Sequence, residues 1–150
     1  MAKIFVLRGI PGSGKSTLTK EIVSKDGGAI VCSADDHFMK DGVYSFNPVE
    51  LPQAHGACQR RFIAACQAAE PDVIIVDNTN LSVAEFAGYV NFGQAFGHDV
   101  EIITLMVDPA IAAARNIHGV PADRVNKMHE ALVAGTAGIA PWWKHTVRES

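Results

Sequence analysis

Apolar residues gather in short runs at residues 3–7, 29–33, 73–77 and 100–107, and the segments between them read as helices. Residues 73–77, Val-Ile-Ile-Val-Asp, are the clearest strand, apolar without a break as a parallel strand covered on both faces should be. The first helix is expected over residues 14–25 and stops at Asp26-Gly27-Gly28. Asn47-Pro48 offers an N-cap and a first-turn proline for a long helix to about residue 69, with Pro52 in its first turn or at its true start. Ser82 caps a helix through about residue 96, which Gly97 ends. Asp108-Pro109 caps and starts another, to about residue 116. A hinge-like turn at residues 118–121 leads to a helix over 122–134 and a flexible connection at 135–138. Residues 141–147 read as a short edge strand or a packed extension, with Trp142 and Trp143 as packing residues. Alternating strands and helices predict a parallel sheet covered by helices on both faces, with right-handed crossovers. Ligands are then expected beyond the carboxyl ends of the strands.

Those ends carry the polar clusters. After the first strand stands Gly9-Ile10-Pro11-Gly12-Ser13-Gly14-Lys15-Ser16-Thr17, a G-x-x-x-x-G-K-[ST] loop between a strand and a helix. Such a loop wraps backbone N–H groups around a phosphate chain at a helix N-terminus, where the helix dipole favours anions. Gly9, Gly12 and Gly14 permit backbone angles and close approaches that a side chain would block. Lys15 supplies a point charge to the outer phosphates, and the Ser16 hydroxyl is placed for Mg²⁺. Gly12, Ser13, Gly14, Lys15, Ser16 and Thr17 are the candidate nucleotide-binding residues.

Asp35 and Asp36 follow the second strand. One of them can act as the base that takes a proton from an attacking hydroxyl, or the two can cap the segment that follows. Asp77 ends the third strand in the Walker B position, where it can join Ser16 in holding Mg²⁺. Asn78 follows it in place of the water-activating glutamate of many hydrolysing ATPases, which favours transfer to a bound acceptor. Thr79 and Asn80 position an acceptor or form a simple turn. Arg115 precedes the hinge and is the leading lid cation; Arg124 and Lys127, three apart, can equally form a solvated face. His55 lines an acceptor groove or is structural. Tyr44 and Phe46 stack on a base or anchor their loop.

Composition narrows the partners. The 150 residues are 48% hydrophobic and 19% charged, enough for one domain with a proper core. A net charge of −3 gives no basic field over the whole molecule, so a nucleic-acid contact must come from a local patch. Cys32, Cys58 and Cys66 contain no C-x-x-C pair and read as buried reduced thiols, with no disulfide and no structural zinc. With no signal peptide and no apolar run of membrane-spanning length, a cytoplasmic protein with no membrane contact is expected.

Taken together, the loop, Ser33-Ala34-Asp35-Asp36-His37-Phe38, Val76-Asp77-Asn78-Thr79-Asn80 and Arg115-Asn116-Ile117-His118-Gly119-Val120-Pro121 resemble the kinase module of polynucleotide 5′-hydroxyl kinases. Related ATP-binding domains are also called AAA-family or zeta-toxin-like. The resemblance implies a P-loop NTPase fold, a three-layer α/β/α domain with a central, mainly parallel sheet and a helical lid at about residues 115–127. It implies ATP and Mg²⁺ as cofactors and transfer of the γ-phosphate to a nucleic-acid 5′ end. Lys15 and Arg115 would act on the donor, Asp35 as general base, and Asp36, His55, Thr79 and Asn80 around the acceptor. Two positions depart from the family pattern: His118 and Phe38 stand where arginines are expected. A small-molecule kinase, for a nucleoside, sugar or antibiotic, and a non-catalytic ATP-binding module acting through a partner are the alternatives.

Overall fold

A computed structural model describes residues 1–116 and 119–149. Five strands build the main sheet: β1 (Lys3–Arg8), β2 (Ile30–Cys32), β5 (Val73–Asp77), β6 (Asp99–Met106) and β7 (Lys144–Glu149). They lie in the order β2-β5-β1-β6-β7, and every neighbouring pair is parallel. A small antiparallel hairpin, β3 (Met39–Lys40) and β4 (Val43–Tyr44), stands apart from it. The described residues also form five α-helices: α1 (Lys15–Lys25), α2 (Leu51–Gln67), α3 (Val83–Ala95), α4 (Pro109–Arg115) and α5 (Ala122–Ala137).

The alternation of side chains along each strand explains the three layers. Ile4, Val6, Ile74, Val76, Val100 and Ile102 face one way and pack with Phe62 of α2 and Phe86 and Tyr89 of α3. Leu7, Ile75, Ile103 and Leu105 face the other way, against Leu18 and Ile22 of α1. Helices α4 and α5 have their own apolar seam, made by Ala112, Val125 and Leu132 with Ile10 and Val107. Leu7 is in register with Asp77, so the loop after β1 and the carboxylate ending β5 emerge side by side.

Several elements differ from the sequence expectation. Asp35 and Asp36 lie on a 3₁₀ turn, Ala34–Phe38, capped by the Ser33 hydroxyl accepting from the Asp35 N–H at 3.2 Å. Asn47 caps a second 3₁₀ turn, Pro48–Glu50, before α2 begins at Leu51. Ser82 occupies the N-cap position of α3 without a side-chain cap bond; instead the Glu85 carboxylate accepts from the Leu81 N–H at 2.7 Å. Gly135 is the last turn of α5, not a flexible link: a Cβ there would lie 2.0 Å from the Leu81 carbonyl oxygen. The C-terminal segment is the edge strand β7. Trp143 packs edge-on to Phe86, whereas Trp142 is 79% exposed and packs little. The three cysteines are buried and free.

Among the described residues no helix is long and apolar enough to cross a membrane. Among them also, no group of three or more His, Cys, Asp or Glu side chains is placed to hold a metal ion.

Candidate functional site

The loop between β1 and α1 owes its shape to three glycines. Gly12 and Gly14 have φ of 84° and 100°, in the left-handed region that side chains disfavour. A Cβ on Gly12 would meet the Ala112 carbonyl oxygen at 2.1 Å, so the loop lies directly against α4. A Cβ on Gly9 would meet the Ser13 hydroxyl at 2.4 Å. The Lys15 ammonium is drawn inward, donating to the Gly9 carbonyl at 2.7 Å and the Ile10 carbonyl at 3.3 Å. Burial lowers its pKa to about 8, against the opposing pull of the Asp77 and Asp35 carboxylates. The buried Ser13 hydroxyl has no hydrogen-bond partner among the described residues. A buried orphan hydroxyl, a positive-φ cradle and an inward lysine are the features a phosphate chain requires. The loop therefore fits a phosphate chain.

Asp77 closes the other wall. Its Oδ2 accepts from the Thr19 hydroxyl at 3.0 Å, and burial raises its pKa despite the nearby Lys15 charge. Ser16 is exposed on the same cavity, so a hydroxyl and a carboxylate are available to a divalent cation.

That cavity, about 910 Å³, gathers most of the residues singled out from the sequence. Gly12, Ser13, Gly14, Lys15, Ser16, Thr17, Asp35, His55, Asp77, Thr79 and Arg115 all line it. Arg124 lines it too, while Lys127 does not, and both are exposed. A smaller cavity of about 300 Å³ shares Ser13, Gly14, Thr17 and Arg115 with the first and is also lined by Arg148 and Glu149 of β7. Arg115, the last residue of α4, thus stands between the two spaces.

Two expected site residues are placed otherwise. Asp36 is exposed and does not line the cavity. A 3₁₀ turn rotates each residue by a third of a turn, so Asp35 and its neighbour diverge. Asn80 is 2% exposed and structural: its Nδ2 donates to the Leu7 carbonyl at 2.8 Å. Its φ of 48° turns its own carbonyl toward Arg8, whose Nε donates to it at 2.7 Å. Phe38, at a position where an arginine was expected, is a core residue at 1% exposure, edge-on to Tyr44 and Phe46. His118, the other such position, lies outside the described residues.

Three sets of contacts were not anticipated from the sequence. Asn78 Oδ1 accepts from the Ala34 N–H at 2.9 Å, which ties the start of the Asp35 turn to the end of β5. The Tyr44 hydroxyl donates to Asp35 Oδ1 at 3.2 Å. Most of all, Arg8 is wholly buried at the foot of the loop. Its guanidinium donates to the carbonyls of Asn80, Leu81 and Leu132 and to the Thr104 and Thr136 hydroxyls, at 2.7 to 3.3 Å. It also stacks on Phe86, 4.7 Å from the ring centroid. Burial lowers its pKa to about 10, and the Glu85 charge opposes that fall. An arginine in an apolar strand was the available signal, and the predicted strand ended one residue before it.

A family model described as an AAA domain matches residues 4–134. The chain belongs to this AAA domain family. It is a P-loop kinase-like domain. This AAA domain is similar to NEDD4-binding protein 2 of Homo sapiens, 36% identical over 135 residues, covering 85% of the chain and 7% of that protein. It is also similar to 2′,3′-cyclic-nucleotide 3′-phosphodiesterase of Pongo abelii, 34% identical over 79 residues, covering 51% of the chain and 18% of that protein. The AAA domain thus spans under a fifth of the length of these relatives. In three dimensions it is similar to a chain in the structure of the Pnkp1/Rnl/Hen1 RNA repair complex. That match has a TM-score of 0.76 and 19% identity over 93% of this chain and 46% of that one. A second structure of a Pnkp1/Rnl/Hen1 complex matches with a TM-score of 0.63, 20% identity, and 80% and 41% coverage. At these identities the structural matches speak for the fold.

Proposed function

We propose that this domain is an ATP- and Mg²⁺-dependent kinase that phosphorylates a 5′-hydroxyl of DNA or RNA. The observation that carries the reading is the single cavity shared by Lys15, Ser16, Asp77, Asp35 and Arg115. The loop amides and Lys15 hold the phosphates of the donor, and Arg115, which lines both cavities beside the loop, closes over them. Ser16 and Asp77 would hold Mg²⁺, which when bound offsets phosphate charge. Asp35 accepts the proton of the acceptor hydroxyl as its oxygen attacks the γ-phosphorus, and the bond from that phosphorus to the β–γ bridging oxygen breaks to release ADP. Asn78 fixes the Asp35 turn from behind. Arg115 and Arg124 balance the charge on the transferring group. The likeness to a chain of an RNA repair complex supports a nucleic-acid acceptor.

A second reading, a small hydroxylic acceptor, is favoured by one observation. Burial of Phe38 leaves the acceptor side without the arginine the resemblance would put there. Radiolabelled ATP offered to a 5′-hydroxyl oligonucleotide, beside a panel of nucleosides and sugars, separates the two. Label on the oligonucleotide supports the first reading. Label on nucleosides or sugars alone overturns it in favour of the second.

A further inference from the structure

Beside Asp35 the cavity wall is aromatic, and neither the triphosphate site nor the base explains why. Tyr44 and Phe46 line the cavity at 43% and 50% exposure. Both rest edge-on against the buried ring of Phe38, with centroids 6.2 and 5.1 Å away. This anchorage fixes the rings without covering them. The tyrosine hydroxyl reaches Asp35 Oδ1, so the aromatic wall begins at the proton-accepting group itself.

We infer that this wall is a stacking seat for the base of the acceptor's terminal nucleoside, with the Phe46 ring as its platform. This rests on the transfer reading above and deepens it: the acceptor is recognised through a base beside its hydroxyl, not through a sugar or phosphate alone. An aromatic ring offers a π-face to any base, so the seat is tolerant of sequence. It also supplies acceptor affinity that the net charge of −3 cannot.

The test uses the full chain with Mg²⁺ and a non-hydrolysable ATP analogue. Two 5′-hydroxyl oligonucleotides carry a 3′ fluorescent label, one with 2-aminopurine at the 5′ terminus and one abasic there. Wild type should bind the base-bearing oligomer at least fivefold tighter and alter its 2-aminopurine emission. Phe46→Leu should cut that binding about tenfold, the loss expected of one stacked base, and change abasic binding less than twofold. Phe46→Trp should restore the preference. Unchanged affinity for the ATP analogue confirms that a variant is folded, and the wild-type comparison decides alone if Phe46→Leu is not. Equal affinity of wild type for the two oligomers, binding of neither, or an equal loss for both in a folded Phe46→Leu overturns the inference. Base-dependent binding without phosphorylation by ATP would leave the seat standing and remove the kinase reading. Equal phosphorylation of both oligomers, with no effect of Phe46→Leu, would do the reverse.

Discussion

On the proposed reading the cavity has a donor side and an acceptor side, and the two are built by different means. The donor side is backbone. It is a loop shaped by positive-φ glycines, packed on α4 by Gly12, with Lys15 held by two carbonyls and Asp77 by Thr19. The acceptor side is side chain, a short 3₁₀ turn and a two-residue hairpin that expose Asp35, Tyr44 and Phe46. One side can hold its geometry without ligand because main-chain atoms define it. The other is held largely through side chains, among them Asn78 to Ala34 and Tyr44 to Asp35. Arg8 ties the strand that launches the phosphate loop to the Asn80–Leu81 turn and to α5.

This contrast predicts separable defects. Asp35→Asn should lower kcat by about 10²–10⁴-fold while leaving affinity for ATP within about twofold, because only proton transfer is lost. Near-full turnover in that variant would remove Asp35 from its role. Lys15→Met should instead strike the donor side, with transfer down by about 10²–10³-fold and ATP affinity falling with it in equilibrium binding. Arg8→Met leaves several buried acceptors unpaired, and should cost about 3–5 kcal/mol in denaturant unfolding. That corresponds to roughly 6–20 °C in Tm for a chain of this size.

The gentlest probe is pH. Lys15 loses its charge above about 8 in the unliganded protein, so ATP affinity should decline as pH rises beyond that value, by up to about tenfold per pH unit. Isothermal titration between pH 6.5 and 9.5, each limit being approximate, would reveal it, and Lys15→Arg should flatten the profile. Folding responds with the opposite sign. Between about 8 and 10.5 the unfolded chain binds the Lys15 proton more than the folded one does, so this group makes the unliganded protein more stable as pH rises.

Much of this could be read along the chain. The apolar runs marked β1, β2, β5 and β6, and the glycine-lysine loop announced its own function, because a phosphate cradle needs particular residues at adjacent positions. The C-terminal strand was left open between two forms. Residues 144–149 are largely exposed and polar, so only pairing with β6 makes them a strand. The Gly135 segment looked flexible because glycine permits both freedom and close approach, and only the nearby Leu81 carbonyl decides which applies.

Local chemistry and periodicity were enough for four of the five main-sheet strands, the helices between them, the glycine-lysine loop and the candidates Asp35, Asp77 and Arg115. The tertiary structure decided which polar residues face the cavity and which hold it together. Asp36 and Asn80 are as polar as Asp35 and Thr79, and their roles differ only through turn geometry and distant partners. Arg8 is the extreme case, since its acceptors lie 72 to 128 residues away in the chain and meet only when the sheet and α5 close around it.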